Sequence, residues 1–287
     1  MRARFVDAGG INTRILCAGE GEALLLLHPV GFSADIWLRN IDALAADRQV
    51  IALDMPNHGY TDLVRYAGRL PQVLFTEHVL AVADALGLRR FSIAGSSLGA
   101  HVAALVYFAA PARVERLVII GSGSALSSEA ELLESLPRTF ENGMKAIADP
   151  TWVSCRTRIG NICFDPKAAP EEVILSQLTS YARPGMAAAY EATLKGMMDI
   201  ALLRPHRILE RLEAIAVPTQ LLWGRQDSRS RLENAQAAAL RITDCELVVL
   251  DECGHLPYAE HPEQFNRAVG RFLRGNRHAR ALEARGD

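Results

Sequence analysis

The sequence predicts an α/β fold: a mostly parallel sheet of eight strands, helices on both faces, and a helical insert after the sixth strand. Three observations predict it. Runs that are apolar at every position, such as Ala23–Leu27, read as strands buried on both faces. They alternate with helix-length segments, the rhythm of a parallel sheet wrapped by helices. Between about Ser124 and Leu203 that rhythm stops, and only helical segments punctuated by prolines remain.

The elements follow in order. Residues 3–8 and 12–18 alternate around Gly9-Gly10, which predicts an antiparallel edge hairpin. Ala23–Leu27 is the third strand. Helix-like spacing around Ile36, Trp37 and Ile41 leads to a fourth strand at 50–53, and a loop runs from Asp54 to Thr61. Leu74 to Leu86 is apolar at helical spacing and stops at Gly87, a glycine just past the helix end. Strand 91–94 meets helix 100–110 through Gly95-Ser96-Ser97-Leu98-Gly99, and residues 116–120 form the sixth strand. Insert helices are expected over 128–136, 139–147, 171–182 and 186–203, with Pro137, Pro150, Pro166, Pro170 and Pro184 as breaks. Strands 219–223 and 246–250 resume the sheet, with helices at 230–240 and 262–273. The boundaries are a core over 1–123, a lid over 124–205, a second core part over 206–275, and a frayed polar tail over 276–287. An insert that begins at a strand's carboxyl end lies over the ligand site.

Composition bounds the partners. The 287 residues are 49% hydrophobic and 22% charged, with net charge −2. That balance gives no general attraction to nucleic acid or anionic membranes, so a small-molecule ligand is expected. No apolar run is long enough to span a bilayer, and Phe5 to Gly10 is no signal-peptide core. Five cysteines, an odd number without paired spacing, argue against a disulfide framework or a zinc site and for a reducing cytoplasm. Cys253, two residues before His255, reads as a packing residue. No histidine pairs with a carboxylate at metal-ligand spacing, and Gly121-Ser122-Gly123 lacks the rest of a phosphate loop, so no metal or cofactor is expected. The oligomeric state is not legible, with a homodimer as the form to test.

Chemistry enters through three residues, each placed just after a strand: Ser97, Asp227 and His255. The glycines around Ser97 suit a serine on a very sharp turn. Acyl transfer needs such a set: an imidazole to take the hydroxyl proton, and a carboxylate to hold the imidazole's tautomer.

With Gly95-Ser96-Ser97-Leu98-Gly99, Trp223-Gly224-Arg225-Gln226-Asp227 and Gly254-His255 in this order, nearly the whole chain resembles the α/β-hydrolase superfamily. The resemblance implies a nucleophile, acid and base at Ser97, Asp227 and His255. It puts His28-Pro29-Val30-Gly31 at the oxyanion segment, so the backbone N–H groups of Val30 and Leu98 become the expected oxyanion hole. Pro29 replaces the usual glycine, but the donor needed belongs to the next residue. His28 is expected to brace this loop, and Asp54 to Thr61 to be a structural turn.

A serine nucleophile sets the chain apart from the dehalogenase and epoxide-hydrolase branches, which leaves ester-type or carbon–carbon hydrolysis. In whole-chain texture it is similar to the meta-cleavage-product hydrolases, as in Glu141–Lys145, the apolar lid helices and Glu260–Asn266. It departs from them at Ser96, at Val30-Gly31-Phe32, at Leu256, and at Gln177, near which that subfamily carries a lid arginine. Arg183 is the nearest substitute. The expected activity is therefore ester or lactone hydrolysis through an acyl-enzyme. Carbon–carbon cleavage of vinylogous diketones is the alternative, a non-catalytic small-ligand receptor the reading from another class, and perhydrolysis a side activity. Expected pocket residues are Phe32, Phe140, Met144, Arg183, Met186, Tyr190, Met198 and Leu256.

Overall fold

The structure, a computed structural model, describes residues 1–275. The expected frayed tail at 276–287, with His278, lies outside the described residues. Eight strands form one sheet: β1 (Arg2–Asp7), β2 (Asn12–Ala18), β3 (Ala23–Leu27), β4 (Gln49–Leu53), β5 (Phe91–Ser96), β6 (Val114–Ile120), β7 (Thr219–Gly224) and β8 (Cys245–Leu250). Their order is β1-β2-β4-β3-β5-β6-β7-β8. The first two pairings, β1 with β2 and β2 with β4, are antiparallel, and all others are parallel.

Helices α1 (Ile41–Leu44), α2 (Pro71–Ala85), α3 (Leu98–Ala109) and α4 (Gly123–Leu126) belong to the first half of the chain. The insert after β6 holds α5 (Glu129–Ala148), α6 (Trp152–Gly160), α7 (Glu171–Tyr181), α8 (Met186–Met197) and α9 (Ile200–Leu203). The chain then adds α10 (Leu232–Ala239), α11 (Pro257–Glu260) and α12 (Pro262–Arg274).

Burial explains the strand patterns. Leu24 to Leu27 have no exposed surface, and β5 is buried throughout, because helices cover both faces of these central strands. At the edges the reverse holds: β1 is almost wholly exposed and β8 only half-buried. Each central leucine withdrawn from water contributes about 1.5–3 kcal/mol.

The insert differs from expectation in three places, one of them the helix expected over 186–203, which divides into α8 and α9 at Met198 and Asp199. The break predicted at Pro137 does not occur, and α5 runs through it as one helix of 20 residues. A proline removes the bond to the carbonyl four residues back, here that of Leu133, whose side chain is exposed. Solvent can satisfy that carbonyl. Conversely α6, unassigned in the sequence, forms because Thr151 and Ser154 make a reciprocal capping box at its start.

Candidate active site

Ser97 joins β5 to α3 with φ 54° and ψ −114°, a conformation non-glycine residues avoid. Such strain persists only where the surroundings over-determine it. Here the Ser97 N–H donates to Ile120 O at 2.9 Å, and its carbonyl accepts from Ser122 Oγ at 2.8 Å and from the Ala100 and His101 N–H groups. A Cβ on Gly99 would collide with the Leu27 carbonyl, and one on Gly95 with the Gly99 carbonyl, so both neighbours must be glycine. Beneath the turn, Tyr258 Oη donates to Ser96 Oγ at 3.1 Å.

Asp227 and His255 approach from the loops after β7 and β8. His255 Nδ1 lies 2.8 Å from Asp227 Oδ2 and 3.0 Å from Oδ1, and both side chains are almost fully buried. The carboxylate also accepts the Arg229 N–H at 2.7 Å, the Ser230 N–H at 3.1 Å and the Ser230 hydroxyl at 2.5 Å. With the carboxylate as acceptor, Nδ1 carries the proton and Nε2 a free lone pair. Trp223 Nε1 donates to Ser230 O at 3.0 Å and ties the acid loop to its strand.

Glu260, on α11, holds the histidine loop. Its carboxylate accepts the N–H groups of Gly254 (3.0 Å), Leu256 (3.0 Å) and Phe164 (2.7 Å), while the His255 N–H donates to Ile162 O at 2.8 Å. The sequence reading assigned Glu260 no such part.

The loop after β3 completes the site. Val30, Leu98, Ser97 and His255 line one cavity of about 80 Å³. Neither the Val30 nor the Leu98 N–H has an acceptor among the described residues. His28 braces the loop, with Nδ1 donating to Pro29 O at 2.7 Å and Nε2 accepting the Met55 N–H at 3.0 Å. Complete burial pushes its pKa well below the usual value, so it is neutral. The Asp54 to Thr61 turn is structural: buried Asp54 accepts the N–H groups of Ala34 and Tyr60 and pairs with Arg14.

Of the expected pocket residues, Phe32 lines the cavity. The rest do not. Phe140 and Met144 turn toward the core, whereas Leu132, Ser135, Leu136 and Thr139 of α5 face the cavity. Met186 and Leu256 are buried in the main core. Met198 sits just past the end of α8, and its neighbour Met197 takes the wall position. Tyr190 is buried behind the wall, with its hydroxyl 3.3 Å from Arg158 Nη2. Arg183 does not reach the site, because its guanidinium is spent on the carbonyls of Gly59 and Thr61. Gln177 donates from Nε2 to Gly31 O at 2.9 Å.

Sequence reasoning missed two arginines in the cavity wall. Arg158 on α6 is 95% buried by its 5% exposure, and Arg229 follows the acid by two residues. The available signal for Arg158 was a capped helix, Thr151 onward, that puts one arginine among Cys155, Ile159 and Ile162. Among the described residues no cluster of histidine, cysteine or carboxylate groups is arranged to hold a metal, and the five thiols are free. No helix of the described residues is long and apolar enough to cross a membrane.

Known proteins resemble this chain over nearly its whole length. The chain is 30% identical over 290 residues to a 2-hydroxy-6-oxononadienedioate/2-hydroxy-6-oxononatrienedioate hydrolase of Burkholderia vietnamiensis, covering 96% of this chain and 91% of that one. It is 26% identical to a 2-hydroxymuconate semialdehyde hydrolase of Pseudomonas sp. strain CF600, covering 94% and 93%. Among solved structures, a 2-hydroxy-6-oxo-6-phenylhexa-2,4-dienoate hydrolase from Rhodococcus sp. strain RHA1 superposes with a TM-score of 0.81 at 24% identity, covering 96% of this chain and 99% of that one. A thermophilic esterase from Thermogutta terrifontis gives 0.76 at 21%, covering 96% and 98%. At those identities the two structures speak for the fold alone. The alpha/beta hydrolase family model matches residues 24–268, most of the chain, and this protein therefore belongs to the α/β hydrolase family.

Proposed function

We propose that this protein is a serine-nucleophile hydrolase that cleaves a carbon–carbon bond in a vinylogous diketone of the meta-cleavage type. Ser97 Oγ adds to the ketone carbonyl while His255 Nε2 takes its proton, and Asp227 holds the imidazole's tautomer and stabilises the imidazolium. The N–H groups of Val30 and Leu98 receive the oxyanion, each worth roughly 3–4 kcal/mol in comparable acyl transfer. The carbon–carbon bond then breaks, and its electron pair leaves as a dienolate that the imidazolium protonates. Water, deprotonated by His255, clears the acyl ester and frees Ser97.

The observation that carries this reading over ester hydrolysis is the set of relatives that match nearly end to end and are named as hydrolases of 2-hydroxy-6-oxononadienedioate and of 2-hydroxymuconate semialdehyde, compounds that contain no ester. Ester or lactone hydrolysis is kept as a second reading because Gln177 stands where that subfamily has its lid arginine and is occupied with Gly31 O.

The test is the initial rate of the protein and of Ser97→Ala on 2-hydroxy-6-oxohepta-2,4-dienoate beside short p-nitrophenyl esters. Dienoate turnover that dominates and disappears in the variant is the expected result. Ester turnover with none on the dienoate sinks the carbon–carbon reading in favour of the second. No turnover on either, with tight binding of a small ligand, moves the protein to a receptor.

A further inference from the structure

Arg158 is the most costly residue in the cavity wall. A buried guanidinium needs partners, since an uncompensated buried charge is strongly destabilising. Among the described residues Arg158 has no carboxylate within ion-pair distance; burial disfavours its charge, and the groups that favour it are Tyr181, Tyr190 and Cys155. Its Nη2 donates to Val30 O at 2.9 Å and meets Tyr190 Oη at 3.3 Å. Its face lies 4.6 Å from the Phe32 ring centroid. Nε and Nη1 are buried and have no hydrogen-bond partner. The Nε–H points to the edge of the occupied Nη2, so Nη1, with two N–H donors, is the nitrogen that can meet a carboxylate.

Bracing the loop does not account for this. One donor suffices for Val30 O, and the next carbonyl, Gly31 O, is already held by Gln177 and by Tyr181 Oη at 3.0 Å. A neutral side chain would make the same contact without burying a charge.

We propose that Arg158 is the anion-binding residue of this site: its Nη1 receives the carboxylate of the substrate, while its Nη2 stays on the carbonyl of Val30. One guanidinium thereby joins the substrate's charge to the loop whose N–H faces the oxyanion. Arg229, half-buried at the cavity rim and likewise without an ion pair among the described residues, adds a longer-range positive field. The inference rests on reading the Ser97–His255 cavity as the active site, but not on which bond is cleaved there.

The experiment is calorimetric binding of hexa-2,4-dienoate (sorbate) and its neutral amide to the protein, Arg158→Met and Arg229→Met. The carboxylate is expected to bind the unaltered protein roughly 10- to 100-fold more tightly than the amide, the span of a charge-assisted hydrogen bond. Arg158→Met should remove that preference and leave amide binding within about twofold, whereas Arg229→Met should weaken sorbate by less than threefold, roughly the worth of an exposed charge. Equal loss of both ligands in Arg158→Met makes Arg158 a structural brace and overturns the proposal. So does a large selective loss in Arg229→Met alone. Should Arg158→Met fail to fold, the unaltered protein decides, since equal affinity for sorbate and its amide overturns the proposal. Selective sorbate binding without dienoate turnover keeps the anion site and rejects the carbon–carbon reading.

Discussion

Glu260→Gln tests how His255 is held. The carboxylate satisfies three backbone N–H groups, those of Gly254 and Leu256 on either side of His255 and that of Phe164 from the lid. Oε1 faces Gly254 and Leu256, whereas Oε2 faces Gly254 and Phe164. Glutamine keeps one oxygen and replaces the other by NH2, so whichever way it turns, an amide N–H opposes a backbone N–H. A hydrogen bond to a charged group is worth about 1.5–3 kcal/mol net, and an unsatisfied buried donor costs about 1–3 kcal/mol. Discounted for the partial exposure of Glu260, the loss is about 2–3 kcal/mol. Urea unfolding should show that loss as a lower midpoint at unchanged slope. Because the two N–H groups flank His255, kcat should also fall, by about tenfold, with KM little changed, since the cavity walls stay in place. A variant within about 0.5 kcal/mol and twofold in kcat would refute the account, leaving the Ile162 carbonyl as the brace that matters.

Three further outcomes follow from the same geometry. Asp227→Asn should leave the fold intact and lower kcat by about 10³- to 10⁴-fold at neutral pH, because an amide no longer selects the tautomer with a free Nε2; single-turnover rates check it. Burial holds His58, His78 and His101 near pKa 4, well under the usual 6.5, and pushes His28 well below the usual value too. The unfolded chain therefore binds more protons below pH 6.5, so stability is full above that pH and drains away as pH falls toward 4. Each histidine contributes on the order of 2–3 kcal/mol; in urea titrations at pH 7 and 5, His101→Gln should flatten the dependence, and an unchanged slope would contradict the assignment. Gly99→Ala should abolish soluble folded protein or the reactive serine, since its Cβ meets the backbone of Leu27 and nothing flexible can yield; normal labelling by a fluorophosphonate would contradict it.

Much of this molecule was legible from local pattern. The strands announce themselves because helices cover both faces of the central ones, so every residue of Ala23–Leu27 must be apolar. The serine turn is legible for a similar reason: the close approach of Leu27 and Gly99 to the turn leaves glycine as the one residue that fits. Motifs that follow a strand place Asp227 and His255 at the same edge of the sheet, and the structure brings their side chains within 2.8 Å of each other. The insert was less legible. Its helices were recognised in part, but the path through Pro137 depended on which carbonyl the ring deprives, and the short α6 depended on its cap.

What only the tertiary structure decided is which lid side chains face the reacting centre. A helix presents a different face every 100°, so a small rotation exchanges Met198 for Met197, and Phe140 with Met144 for Ser135 with Thr139. Charge was redistributed in the same way. Arg183, close in sequence to the expected arginine position, is spent on Gly59 and Thr61, while Arg158, 25 residues earlier, enters the cavity because α6 packs against α7. The sequence by itself determined the sheet, the order of Ser97, Asp227 and His255 and the loops that carry them, because each depends on contacts within a few residues. Long-range packing of the lid decided where its one buried cation stands.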